Sequence, residues 1–299
     1  MKLVGFHNLG NTCYINSVLQ CFIYNPYFQK WCNLPDFQKI FECIDFTKND
    51  EELFINCNIS GIINFLLTRK KCFKRFQQND AHEFLIEFLD ILTTDIPGEQ
   101  FESEPESRWN SFLKQNNYSP FTKEYHGQTK LSIHCCKCKN SSVTFEEFNT
   151  INLNIPIENS EVTSLFVEYL KKEKVIDKDN LYFCGTCKSE EVSDRKISLN
   201  ILPNVLIITL KRYTDTGTKI ISDVKYDQEL HIRMNENIVK YTLTSIVHHF
   251  GNLYDGHYTS SVKVNEKWYN IDDSSISEKN TKDDNSSAYI LFYTIQPEE

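Results

Sequence analysis

The spacing of apolar residues changes once along this chain, and that change limits its fold more than any other feature. In the first ninety residues it is helical: "YINSVLQCFI" puts Ile15, Val18, Leu19, Phe22 and Ile23 on one face, and "DAHEFLIEFLDIL" puts Ala81, Phe84, Leu85, Phe88, Leu89 and Leu92 on one stripe. From about residue 129 the texture becomes that of strands. "TKLSIHCCKCKNSSVTFEEFNTINLNIPI" reads as two strands around a cysteine-bearing turn, and "ISLNILPNVLIITLKRY", "YTLTSIVHHF", "HYTSSVKV", "KWYNID" and "AYILFYTI" supply further β-rich runs. One more helix is expected at 161–172. Residues 93–120, with "GEQFESEPES", read as a loop, and Lys171–Asn180 and Ser274–Ser287 as loop insertions. The pattern predicts an α+β fold: a helical front followed by a largely antiparallel sheet.

Charge and cysteine content narrow the function. With 41 acidic against 32 basic residues the formal net charge is −9, the opposite of what a nucleic-acid-binding module carries. No stretch approaches the roughly 20 apolar residues of a membrane helix; the best candidate, "GIINFLL", is far shorter, and "MKLVGFHNLG" has no signal-peptide core. Eleven cysteines, an odd number, several of them in apolar surroundings (Cys21, Cys43, Cys72), fit reduced thiols better than a disulfide framework. The expected address is cytoplasm or nucleus.

Chemistry enters with "NLGNTCYINSVLQ". If a helix begins at Cys13, Thr12 is its N-cap, and the unpaired N–H groups and dipole at that end favour a thiolate. Gly10 permits a tight turn close to a substrate, and Asn8 can fold back to donate to a developing oxyanion. A lone cysteine at a capped helix is more often a buried structural residue, so the case for a nucleophile rests on partners. Near the other end, "YDGHYTSSVKVNEKWYNIDDSS" offers them. His257 opens one strand and Asp272 closes the next, after a turn at Asn265–Glu266. Adjacent antiparallel strands would set imidazole and carboxylate side by side, the pairing that fixes the tautomer of a catalytic base. Gly256 lets a substrate chain pass close to that imidazole. His82, His248 and His249 are rival bases by residue type, without such a partner.

Two Cys-x-x-Cys pairs, Cys135/Cys138 and Cys184/Cys187, have the ligand type and spacing of a closed, structural Zn²⁺ site. Disulfides are the alternative, and "HCCKC" offers His134 and Cys136 as rival ligands. In "NDAHEFL", Asp80 and Glu83 have the spacing of a capping box.

Taken together, "GFHNLGNTCYINSVLQ" and "DGHYTS…WYNIDDS" resemble the cysteine and histidine boxes of the ubiquitin-specific proteases, with "QQNDAHEFL", the Cys-x-x-Cys pairs, "KRY" and "AYILFY" as landmarks in order between and after them. The resemblance spans nearly the whole chain. It implies a papain-like cysteine protease fold with a helical thumb (about 1–120), β fingers pinned by zinc (mostly 121–200) and an antiparallel-sheet palm (mostly 201–299), in a single catalytic domain over 1–299. It implies nucleophile Cys13, base His257, orienter Asp272, oxyanion donor Asn8 and a secondary role for Asp273. It also implies zinc ligands Cys135, Cys138, Cys184 and Cys187, and a grip on the arginine-bearing tail of ubiquitin by Asp80 and Glu83. The expected activity is hydrolysis of the isopeptide or peptide bond after the C-terminal glycine of ubiquitin, with ubiquitin and ubiquitinated proteins as partners. A protease for another ubiquitin-like modifier, or a silent ubiquitin-binding homologue, would share the fold. Linkage preference, protein substrate and oligomeric state are not legible in the residues.

Overall fold

The computed structural model describes residues 3–31, 54–57, 68, 73, 76–98, 107–171, 173–175, 181–214, 216–234, 236–252, 255–278 and 285–295. Cys43, Cys72, the "GIINFLL" run and parts of the three expected loops lie outside them. The helical front comprises β1 (Leu3–Phe6), α1 (Cys13–Ile23), α2 (Pro26–Gln29), β2 (Phe54–Cys57), α3 (Ala81–Asp95), α4 (Arg108–Gln115) and α5 (Pro120–Tyr125). The middle holds β3 (Gly127–Cys135), β4 (Ser141–Phe148), β5 (Ile151–Asn154), β6 (Ser160–Glu161), α6 (Val162–Tyr169), β7 (Glu173–Val175), β8 (Tyr182–Cys184), β9 (Ser189–Glu191) and β10 (Ser193–Ile201). The last third is sheet: β11 (Val205–Lys211), β12 (Val224–Lys225), β13 (Glu229–Met234), β14 (Asn237–Gly251), β15 (Gly256–Val264), β16 (Lys267–Asp272), β17 (Ser275–Glu278) and β18 (Ala288–Ile295).

Two sheets organise these elements. The larger runs β17-β16-β15-β14-β18-β11-β5, with β13 on β14; β5 joins β11 in parallel and the other pairings are antiparallel. The smaller, antiparallel throughout, runs β4-β3-β10-β7. "VLIITL" is apolar without alternation because the central strands of the large sheet are buried on both faces. Ile207, Val247, Ile290 and Phe292 join a core shared with α1 and α3. Their neighbours Leu206, Ile208, Ile246 and Leu291 join a second core with α6 and β13.

Three expectations change. α1 is buried along all eleven residues rather than on one face, because it lies between α3 and the large sheet. Part of the expected 93–120 loop is helix: Ser107 caps α4 by accepting from Asn110 N–H. Both expected loop insertions contribute an edge strand: Glu173–Val175 pairs with β10 and Ser275–Glu278 with β16.

Candidate active site

The loop before α1 builds its own scaffold. Asn8 Oδ1 accepts from Gly10 N–H at 3.0 Å and Thr12 N–H at 3.2 Å, while Thr12 Oγ1 accepts from Leu9 N–H at 3.0 Å. Thr12 therefore stands at the N-cap, but its hydroxyl closes the loop behind it rather than capping the helix. Gly10 has φ +96°, and a Cβ there would lie 2.6 Å from the Phe76 ring. That space is filled by Phe76 rather than open to a substrate.

Cys13 begins α1 and is 4% exposed. Burial pushes its thiol above the ordinary value; the N–H of Tyr258 opposes this, the Asp273 charge adds to it, and the N–H groups of Tyr14 and Cys13 itself oppose it. The helix end acts in the direction the sequence suggests, yet burial outweighs it, so Cys13 rests as a neutral thiol. Hydrogen bonds from Asn8 and Asn16 to Asp273, the residue after Asp272, hold the start of α1 against the end of β16.

β15 and β16 form a hairpin whose turn residues, Asn265 and Glu266, have φ +48° and +63°. Two residues of positive φ match the strand twist of a tight hairpin. His257 Nε2 lies 2.6 Å from Asp272 Oδ1, a charge-assisted distance. With the Nε2 proton donated to Asp272, Nδ1 is left with a lone pair to accept a proton. The rival histidines are engaged elsewhere: His248 between Ser261 and Ser287 hydroxyls at 2.9 Å each, His249 against Tyr213 OH at 3.2 Å, and His82 against Thr150 Oγ1 at 3.2 Å. Burial pushes His249 down to about 4, so it stays uncharged near neutrality.

Asp273, at φ +51°, turns its carboxylate back toward α1. Its Oδ2 accepts from Asn8 Nδ2 at 2.9 Å and its Oδ1 from Asn16 Nδ2 at 2.6 Å. One Asn8 N–H is thereby tied down. Asn16 was not singled out from the sequence; its only signal is a polar side chain in a helix otherwise destined for the core. Gln78, quoted only as part of a landmark, accepts from Gly256 N–H at 3.3 Å. Gly256 has no room for a side chain, since a Cβ would lie 2.2 Å from His249 Nε2.

Asp80 caps α3, accepting at Oδ1 from His82 N–H at 2.8 Å and Glu83 N–H at 3.1 Å. Its Oδ2 accepts from Tyr289 OH at 2.8 Å and Tyr258 OH at 3.1 Å. Glu83 is exposed one turn along the helix.

At the far end of the smaller sheet, Cys135, Cys138, Cys184 and Cys187 bring their sulfurs within 4.8 Å of one another. Four sulfurs at 2.3 Å from a tetrahedral Zn²⁺ stand roughly 3.8 Å apart. The separations of 4.0 Å for Cys135–Cys187 and 3.5 Å for Cys138–Cys184 bracket that value and are too long for S–S bonds. Both turns have one geometry: Lys139 (φ +66°) donates its N–H to Cys135 O, and Lys188 (φ +54°) donates to Cys184 O. Cys136 and His134 stand outside the cluster; His134 Nδ1 lies 3.1 Å from Ser141 Oγ. The four cysteines fit a zinc ion.

Comparison with known proteins places this geometry. The chain is 28% identical to the ubiquitin carboxyl-terminal hydrolase Usp2 of Drosophila melanogaster over 97% of its own length and 34% of that protein's. It is 30% identical to the human ubiquitin carboxyl-terminal hydrolase 17-like protein 13, over 97% of its own length and 55% of the relative's. It thus spans between a third and just over half of these two relatives. Among solved structures, a SAGA deubiquitinating module of Ubp8, Sgf11, Sus1 and Sgf73 bound to monoubiquitin matches with a TM-score of 0.74 at 25% identity, over 99% of this chain and 69% of the matched one. The module bound to ubiquitin aldehyde matches at 24% identity and a TM-score of 0.73, over 99% and 70%, as a likeness of fold. The fold is the papain-like arrangement of helical thumb, antiparallel palm and β fingers, with a four-cysteine cluster at the fingers. The family model of the ubiquitin carboxyl-terminal hydrolases matches residues 4–293, and the chain belongs to that family.

Proposed function

We propose that this chain is a cysteine-dependent deubiquitinase that hydrolyses the isopeptide or peptide bond after the C-terminal glycine of ubiquitin. One observation carries the reading: the loop and helix around Cys13 are bonded through Asn8 and Asn16 to Asp273, next to a His257–Asp272 pair at 2.6 Å. The bound ubiquitin of the structural neighbours and the hydrolase names of the relatives support the choice of substrate.

His257 Nδ1 takes the proton from Cys13, whose buried thiol needs a base to become a nucleophile. Asp272 holds Nε2 and supports the imidazolium that forms. The thiolate attacks the carbonyl, and the Cys13 N–H and the second N–H of Asn8 face the oxyanion. His257 then protonates the leaving lysine amine, and water clears the thioester. Gly256 and Glu83 line the approach of the substrate tail.

The same reading divides the chain at about residues 120 and 200 into thumb, fingers and palm of one catalytic domain. Cys135, Cys138, Cys184 and Cys187 would hold a zinc ion that fastens the finger tip and takes no part in the reaction. The proposed address is cytoplasm or nucleus, where thiols stay reduced.

The test is labelling with ubiquitin carrying a C-terminal thiol-reactive group. One adduct is expected on the native chain and none on Cys13→Ala. No adduct on the native chain, or an undiminished one on the variant, overturns the assignment. Faster labelling by the same warhead on another modifier would transfer the activity to that modifier.

A further inference from the structure

Three consecutive residues in front of α3 tie the two halves of the site together. Gln78 Oε1 accepts from Gly256 N–H at 3.3 Å. Asn79 Nδ2 donates to Tyr14 OH at 3.1 Å, and Asp80 Oδ2 accepts from Tyr258 OH at 3.1 Å. Tyr14 follows Cys13 and Tyr258 follows His257. Both tyrosines are buried, and Tyr14 packs against Phe73 and Phe84 with ring centroids at 6.1 and 5.8 Å.

We propose that Asn79 and Asp80 are positioning residues that set nucleophile against base by holding the tyrosine that follows each, and that Asp80 is not the carboxylate that receives the modifier's basic tail. A carboxylate offers about four lone-pair sites. Asp80 fills all four, with the N–H groups of His82 and Glu83 on one oxygen and the hydroxyls of Tyr258 and Tyr289 on the other. To accept a bidentate guanidinium it would have to release two of these bonds, leaving partners on tyrosines that are each only 8% exposed. Fixing the Tyr258 ring also fixes its backbone, one of the groups that hold the Cys13 thiol down against the effect of burial.

The part of this inference that concerns the modifier's tail rests on the deubiquitinase reading; the positioning role does not. The first readout therefore uses no ubiquitin: the pH profile of Cys13 alkylation by iodoacetamide, for the native chain, Asn79→Ala, Asp80→Asn and Tyr289→Phe. Each variant is expected to move the midpoint upward by about half a pH unit or more, because a displaced Tyr14 (Asn79→Ala) or Tyr258 (Asp80→Asn, Tyr289→Phe) backbone no longer supports the thiolate. Tyr289→Phe removes a single hydroxyl and no charge, so it keeps the test valid if Asp80→Asn fails to fold.

The second readout is turnover of ubiquitin with a fluorogenic C-terminal group, native or with its tail arginines replaced by alanine. Asp80→Asn should lower kcat at least tenfold with KM within twofold, equally on both substrates. Unchanged alkylation midpoints overturn the positioning role. A tenfold rise in KM on native ubiquitin that disappears on the arginine-free form makes Asp80 a tail contact instead. A native chain that alkylates normally but takes no ubiquitin label sinks the deubiquitinase reading, and the alkylation profiles still decide the positioning role.

Discussion

Asn8 donates its side-chain amide to the Asp273 carboxylate at 2.9 Å, joining residues 265 positions apart. The contact holds the amide whose oxygen accepts from Thr12 N–H at the start of α1, and in the proposed mechanism this amide is an oxyanion donor. Asn8→Ala should therefore lower kcat by about 10²–10³-fold, the usual loss for one oxyanion donor, with little change in KM. Steady-state kinetics check this; a KM effect alone would make Asn8 a binding residue.

Asp273 acts on the nucleophile as well as on its neighbours. Its negative charge raises the Cys13 thiol, after the larger effect of burial. Asp273→Asn removes the charge, so the pH midpoint of Cys13 alkylation should fall. An upward shift would mean that the tie to Asn8 and Asn16 matters more to the thiolate than the charge does.

Zinc should be present at one ion per chain and depend on all four finger cysteines. Cys138→Ser or Cys187→Ser should abolish it in metal analysis and lower Tm by roughly 5–10 °C, the effect of losing a few kcal/mol in a chain of this size. Labelling of Cys13 by small alkylating agents should persist, because the cluster lies at the far end of the smaller sheet. Full metal occupancy in either variant would remove that cysteine from the ligand set.

Stability should fall as pH drops from 7 to 5, in part through His126. Burial pushes this histidine down to about 4, against weaker upward effects of the Thr122 backbone and the Asp90 charge. The unfolded chain, with an ordinary histidine near 6.5, binds more protons than the folded one between those values. Stability is thus complete above about 6.5 and is lost as pH falls toward 4. His126→Gln should flatten the dependence by on the order of 1–2 kcal/mol between pH 7 and 5 in denaturant titrations; an unchanged slope would place the loss elsewhere.

What the sequence revealed was local or periodic. The stripe of α3, the strand–turn–strand around Asn265 and Glu266, and the spacing of the cysteine pairs each follow from neighbours a few residues apart. α4 was missed because it is only eight residues long and follows an acidic, polar run, so the single step Trp109, Phe112, Leu113 was too short to stand out. Asp80 was legible as a cap, but its two tyrosine partners lie 178 and 209 positions away. The helix-end effect on Cys13 was legible because it is local, whereas the burial that outweighs it comes from tertiary packing.

The central strands of the large sheet have a mechanical consequence. β11, β14 and β18 each wedge alternate side chains into opposite layers, so none can rotate to relieve crowding on one side without jamming on the other. The sheet is a stiff wall gripped from both sides, and β15, which carries His257, hangs from it through β14. Leu206, Ile246 and Leu291 belong to the layer that excludes α1, and through β14 and β15 a change in their packing is expected to reach the imidazole. Enlarging or trimming them would register as a base out of alignment in a protein that still folds.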